Sequence, residues 1–541
     1  MIRARFLIRE INGSSPLILQ CRTRSTLAYP IERNETKDES NEMQYARPTE
    51  DIPGPKALPL LGNWFRFLPY IGEYGNANMM EQLQMLNDKY GDIVKLDKLG
   101  SRRPTVFLFS PELCEKMYRV EGVWPVRMSM ETMHYYRKNR EHIYNGQYGL
   151  ATSQGKLWHD FRSKVNPHMM QPRTVKAHVA QISEVTGEFV EKMRSLRDPG
   201  TNELPGDFKN ELQKWALECK YARARRRYLR PICSIALDCR LGCLRPNLAA
   251  DSEPQIMINC VQEMFDLMYR MEVQMSLWKI YNTRDLKKFF RVLDTLNGIS
   301  RKYIEQAKLK YEAMDNSADP SEHSILEKLL RIDKQTAEVM ALDMLTAGVD
   351  TTGNVSGSLL YYIANNPEKQ EKLRAEVMSV LPDKTSPVTQ NVLNQTRYAK
   401  ACIKESLRLF PIAIGTLRTM QTDVCIGGYK IPAGFDIVPC HAVIATKSTQ
   451  FSRTQDYVPE RWLRDNTEFP SAKEAHPFAY MPFGFGPRTC IGRRFAEMEL
   501  ETLLLTVVRN FRIEWHHGPL EYESRFINTL VSPMRFKLVD L

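Results

Sequence analysis

Phe483-Gly484-Phe485-Gly486-Pro487-Arg488-Thr489-Cys490-Ile491-Gly492-Arg493-Arg494 is the stretch whose reading fixes the rest. Gly484 and Gly486 admit backbone angles that side-chained residues resist, so a tight turn is predicted there. Helical spacing begins at Arg493 and runs to about Val508, which places Cys490 just ahead of a helix start. The unpaired N–H groups and positive dipole end of such a helix favour a thiolate over a thiol. The chain has 11 cysteines, scattered and without a CxxC pair. The other ten read as small buried hydrophobes in a reducing compartment, and a lone cysteine in a glycine-rich turn would read the same way.

Outward from this loop the pattern is mostly helical with short strands. Asn78 to Lys89 has helical spacing, and Ile93–Leu96 and Val106–Phe109 read as strands. Lys334 to Asn365 is a long, mostly apolar helical stretch of about nine turns, which in a water-soluble body runs through the core. Asp350 lies in its interior and calls for a reason. Asn366-Pro367 signals the start of a further helix to Val380. Residues 423–440 read as β-hairpins, and strand-like runs follow residue 508. The fold class is mainly α (α+β). No repeat of fixed period or long low-complexity linker divides the chain.

Further constellations fall in a definite order. Glu405-Ser-Leu-Arg408 puts an acid and a base on one helix face, and Pro459-Glu-Arg461-Trp462 follows it. Ala347-Gly348-Val349-Asp350-Thr351-Thr352 sits midway along the long helix. Trp158 and Arg162 are one helical turn apart, with an indole N–H and a guanidinium suited to carboxylates. With these in place, the cysteine loop resembles the haem-binding loop of cytochrome P450s, FxxGxRxCxG in pattern.

The resemblance covers about residues 51–541 and implies one domain in the cytochrome P450 fold: a large helical body with small β-sheets and a long central helix over the haem. It implies haem b (iron protoporphyrin IX) as cofactor and Cys490 as the axial iron ligand. A thiolate there pushes electron density onto the metal, with Phe483 shielding the sulfur. Glu405, Arg408 and Arg461 would brace the cysteine loop. Gly348 would leave room for O2 over the iron, Thr351 would offer a hydroxyl for oxygen activation, and Asp350 would relay protons. Trp158, Arg162, Arg418 and Arg488 would hold the haem propionates.

Lys400 and Lys404, with Arg493 and Arg494, resemble the mitochondrial class, in which such groups dock an acidic, adrenodoxin-like ferredoxin reduced from NADPH. Trp124-Pro-Val-Arg127 and Glu131–Lys138 resemble the insect family-twelve enzymes. That likeness favours xenobiotic or insecticide metabolism, with a steroid (ecdysteroid) hydroxylase and a haem-thiolate protein without monooxygenase turnover as the alternatives. An apolar substrate is expected between residues 126–133, 345–351, 412–417 and 529–531.

The formal charge is +11. Residues 1–30 carry a net +4 and residues 219–231 a net +6, leaving a body of net +1, unlike the spread basic face of a nucleic-acid-binding domain. Residues 1–30 are arginine-rich, serine-bearing and acid-poor, as a mitochondrial transit peptide is, and residues 31–50 read as a polar tether. A membrane anchor needs about 20 consecutive apolar residues, and none occur there. The expected location is the matrix face of the inner membrane, with peripheral contact through Trp64, Phe65, Phe67 and Tyr70, and through Leu277, Trp278 and Ile280. Residues 219–231 interrupt what otherwise reads as one helix from Leu212 to Asp238. They read as translated intron sequence, a solvated loop, or a membrane or partner contact, with the first favoured.

Overall fold

A computed structural model describes residues 37–541 except 59–61, 98–102, 222–239, 247, 275 and 313–323. The expected transit peptide, residues 31–36 of the tether and residues 222–231 of the basic insertion lie outside the described residues.

In chain order the longer helices are α1 (Lys37–Tyr45), α2 (Met79–Tyr90), α3 (Pro111–Val120), α4 (Glu131–Lys138), α5 (Gly155–Met170), α6 (Val179–Leu196), α7 (Phe208–Tyr221), α8 (Glu253–Glu272), α9 (Arg284–Glu312), α10 (Lys334–Ala364), α11 (Pro367–Val380), α12 (Arg397–Leu409) and α13 (Arg493–Asn510). The strands are β1 (Ile93–Leu96), β2 (Thr105–Leu108), β3 (Arg418–Thr419), β4 (Val424–Ile426), β5 (Tyr429–Ile431), β6 (Asp436–Pro439), β7 (Phe511–Glu514), β8 (Tyr522–Ser524), β9 (Asn528–Leu530) and β10 (Lys537–Asp540). One sheet has four strands in the order β1-β2-β6-β3, with β2 and β6 parallel; β4–β5, β7–β10 and β8–β9 are two-stranded antiparallel ribbons. The helix-rich α+β body is as expected.

α10 organises the body. Asp333 caps its first turn by accepting from Gln335 and Thr336 N–H. The helix then runs about 46 Å at 1.5 Å per residue, buried on most sides. α7 lies against it so closely that a Cβ on Gly353 would meet Gln213 Cγ at 2.7 Å. The absence of a side chain there is what permits the approach. α7, α10 and α13 share one large apolar core that includes Trp215, Leu359 and Leu503.

The expected tether departs from its prediction. Residues 37–45 are helical, and Glu42 on α1 pairs with Lys116. Arg47 forms a parallel bridge with Tyr429, its guanidinium 4.0 Å from the ring centre, and Thr49 Oγ1 donates to the Lys430 carbonyl at 2.6 Å. This strap covers the β4–β5 hairpin because the open strand edge offers backbone partners that a free polar chain would otherwise take from water.

Candidate functional site

The loop from Phe483 to Gly492 turns as its glycines predict: Gly484 and Gly486 have φ of 70° and 73°. Cys490 N–H donates to the Phe483 carbonyl at 2.9 Å, closing the loop ahead of α13. Thr489 Oγ1 donates to the same carbonyl at 3.2 Å. Cys490 has free surface of its own, yet burial is the leading influence on its thiol and pushes the pKa up. The two agree if the sulfur faces a recess inside the protein. N–H groups of Gly492 and Arg493 and the Arg162 guanidinium act the other way. The helix start therefore helps the thiolate as predicted, but burial outweighs it. A cation bound to the sulfur is what would complete deprotonation.

Near Cys490 stand four guanidiniums. Arg488 donates to the carbonyls of Pro125, Leu150 and Ser153 and to Gln154 Oε1, at 2.9 to 3.3 Å, and lies 4.1 Å over the ring of buried Trp158. Arg162 donates to the Thr489 carbonyl and Arg127 to the Ala151 carbonyl. Arg418, buried at the start of β3, pairs with Glu121. Glu121 is the one carboxylate bonded to any of the four among the described residues. Burial and mutual repulsion hold the Arg488 pKa down at about 7, and burial holds Arg127 and Arg162 at about 10. Nε of Arg127 and of Arg162 has no hydrogen-bond partner among the described residues. Buried cations are normally paired, so this cluster is short of anions. A flat group bringing two carboxylates beside a sulfur-bound metal fits it. Trp158, Arg162, Arg418 and Arg488, expected as propionate ligands, are brought together. Arg127 and Glu121 were missed as members: Arg127 was read as part of the Trp124–Arg127 likeness, and a single glutamate far away in the chain carries no local signal.

α10 presents two faces to this region. Thr351 Oγ1 donates to the Ala347 carbonyl at 2.7 Å, so these two share one face. Asp350 is buried on another, accepting from Gln213 Nε2 at 2.5 Å, with Gln262 donating in turn to Gln213 at 2.8 Å. Burial raises the Asp350 pKa and Lys209 opposes it. Asp350 and Thr529 line a groove of about 490 Å³ between α8 and the β8–β9 turn, with both charged and apolar side chains on its walls. Gly348 does not serve the predicted purpose. A Cβ there would meet Lys220 Cε at 2.5 Å, because its place on the helix turns it toward α7. The space it leaves is filled by the buried Lys220, paired with Glu499 of α13.

Glu405, Arg408 and Arg461 meet as expected. Arg408 is bidentate on Glu405 at 2.8 and 3.1 Å, and Arg461 Nε reaches Glu405 at 3.2 Å. Trp462 Nε1 and Val458 N–H also donate to that carboxylate, while the guanidiniums cap the carbonyls of Ala445, Ser452 and Thr454. On the outside, Lys404 on α12 is acted on by Glu497, Arg493 and Lys400, which makes these groups neighbours. Arg493 is paired with Glu497 at 2.9 Å and Arg494 is exposed. The segments 412–417 and 529–531 are joined through Asn528 N–H and the Ile412 carbonyl. Tyr70 is 93% exposed and Ile280 80%, but Trp278 is 6% exposed. Its indole donates to the Met271 carbonyl at 3.0 Å, so it is core, not surface.

A family model described as Cytochrome P450 matches residues 52–538. The chain is 36% identical to Probable cytochrome P450 12a5, mitochondrial, of Drosophila melanogaster, over 100% of both chains. It is 37% identical to Cytochrome P450 CYP12A2 of Musca domestica, over 96% of this chain and 95% of that one. It is 35% identical to Cytochrome P450 12b1, mitochondrial, of Drosophila acanthoptera, over 91% and 90%.

Proposed function

The chain belongs to the cytochrome P450 family of haem-thiolate monooxygenases, which carry haem b, and on that premise we propose that Cys490 would bind the haem iron through its thiolate. The supporting observation is the anion-poor cluster of Arg127, Arg162, Arg418 and Arg488 beside the sulfur. These four, with Trp158 packed under Arg488, would hold the haem propionates. Haem, when bound, supplies the O2 and redox chemistry. Phe483, which lies under the Arg493 guanidinium, screens the sulfur from water.

The protein's further contribution is proton delivery. Asp350 Oδ1, raised in pKa by burial, takes protons through the groove lined by Lys209, Gln262 and Thr529. Rotation of Gln213 frees that oxygen to pass a proton toward the Thr351 hydroxyl, which the Ala347 carbonyl positions on the catalytic face. Presence of this acid and alcohol favours monooxygenase turnover over a haem protein without it.

The mitochondrial names of two relatives support a mitochondrial location and a ferredoxin as electron donor, itself reduced from NADPH by a ferredoxin reductase. Its docking face is Lys400, Lys404, Arg493 and Arg494. No helix among the described residues is long and apolar enough to cross a membrane. Contact with the inner membrane at its matrix face is through Tyr70 and Ile71 and through Leu277, Ile280 and Tyr281. The substrate is an apolar small molecule, a xenobiotic or insecticide by likeness to the family-twelve enzymes, with steroid hydroxylation as the alternative.

The test is spectral. Reduced, carbon-monoxide-treated protein shows the red-shifted Soret band of thiolate ligation, and Cys490→Ser loses it. A well-folded, haem-loaded protein without that band overturns the assignment. Spin-state shifts across a panel of insecticides and steroids then separate the two substrate classes.

A further inference from the structure

Behind the proposed docking face lies a carboxylate. Glu501 of α13 accepts from Thr396 Oγ1 at 2.7 Å and lies 3.4 Å from Lys400 Nζ. Its side chain is 7% exposed, that of Lys400 45%. Lys400 also donates to the Leu393 carbonyl, so one of the docking cations is held from beneath. The charged groups acting on Glu501 are Lys400 from α12 and Glu376 from α11. Glu376 accepts the N–H groups of Tyr398 and Ala399 at 2.8 and 3.0 Å and adds a repelling charge. The intervening segment Gln390–Gln395 brings none.

We propose that Glu501 turns docking of an acidic partner at this face into a proton-uptake step: as the partner's carboxylates draw Lys400 outward, Glu501 loses its cation and takes a proton from solvent. This rests on docking at Lys400, Lys404, Arg493 and Arg494. A buried carboxylate deprived of its counter-charge favours the neutral form. Burial already holds Glu501 at about 7, with Lys400 and Thr396 opposing. Removal of Lys400 raises it further, so the docked state binds more protons than the free one. Affinity therefore rises as pH falls, by at most about tenfold per pH unit.

The test uses the haem-loaded protein and an oxidised two-iron ferredoxin of the adrenodoxin type, with Kd measured from about pH 6.5 to about pH 8.5 at fixed ionic strength. The wild type weakens several-fold toward high pH. Glu501→Gln binds at the wild type's low-pH affinity throughout. A Glu501→Gln protein that keeps the wild-type pH dependence overturns the inference and leaves the docking face intact. If Lys404→Gln and Arg494→Gln bind as the wild type does, the docking face itself is wrong. Should Glu501→Gln not fold, calorimetry of wild-type binding in buffers of different ionisation enthalpy reads the proton directly, and absence of uptake near neutral pH overturns the inference.

Discussion

His441 shows what single residues do in this site. It is buried at the edge of the arginine cluster, stacked on Tyr118 with ring centres 5.9 Å apart, its Nε2 bonded to the Tyr118 hydroxyl at 2.8 Å. Burial, reinforced by Arg418, holds its pKa at about 3. A free histidine titrates near about 6.5. The folded value is the depressed one, so this stabilisation is complete above about pH 6.5 and is lost progressively as pH falls toward 3. At about pH 5 the loss is roughly 2 kcal/mol. Stability of the wild type should fall between about pH 7 and pH 5 more steeply than that of His441→Gln, in denaturant titrations. Equal slopes would remove His441 as a cause. None of His441, Glu121 and Glu501 was legible in the sequence. Each acquires its role from partners hundreds of residues away or from burial, and neither leaves a local pattern. Cys490 was legible because its glycines and helix start are adjacent in the chain.

Elements were legible where periodicity and punctuation agreed. α10 and α11 begin at their predicted starts, Lys334 and Pro367, because Asp333 and the Asn366-Pro367 pair mark them. The β4–β5 hairpin falls where its turn glycines stand, Gly427 and Gly428 with φ of 62° and 77°. β6, predicted to be part of a hairpin, pairs instead with distant β2 and β3, a choice set by tertiary packing. Gly348 and Trp278 were misread for a related reason: which side of a helix or turn faces inward depends on the neighbour that arrives. The joint between α12 and the Pro459–Trp462 turn is the test at this scale. Glu405 is fully buried and satisfies two guanidiniums, an indole and a backbone N–H. Glu405→Gln leaves two buried cations without their counter-charge, at a cost of about 3–5 kcal/mol. The expected result is protein recovered largely without haem. Normal haem content and an unchanged melting temperature would contradict the bracing role.

At the scale of the whole molecule, the body's near-neutral balance makes the local cation cluster at α12 and α13 the feature an acidic donor can find. Lys404 is exposed, lies 5.7 Å from the Trp462 ring, and has no ion pair among the described residues. Lys404→Glu should slow ferredoxin-supported NADPH consumption several-fold near 10 mM ionic strength. The deficit should shrink near 0.2 M, where screening lengths fall below about 8 Å. The carbon monoxide difference spectrum should not change. A deficit independent of salt would point to damage within the fold.

The strap formed by Arg47 and Thr49 has a consequence for how the molecule is completed. Thr49 and Lys430 are 381 positions apart in the chain. At about 5–20 residues per second of synthesis, the leading end waits roughly 20–80 s before its hairpin exists. Until then Arg47 and Thr49 lack their partners on the hairpin, although Glu42 can already reach Lys116; the contacts that fasten the strap are made late, across most of the length of the chain.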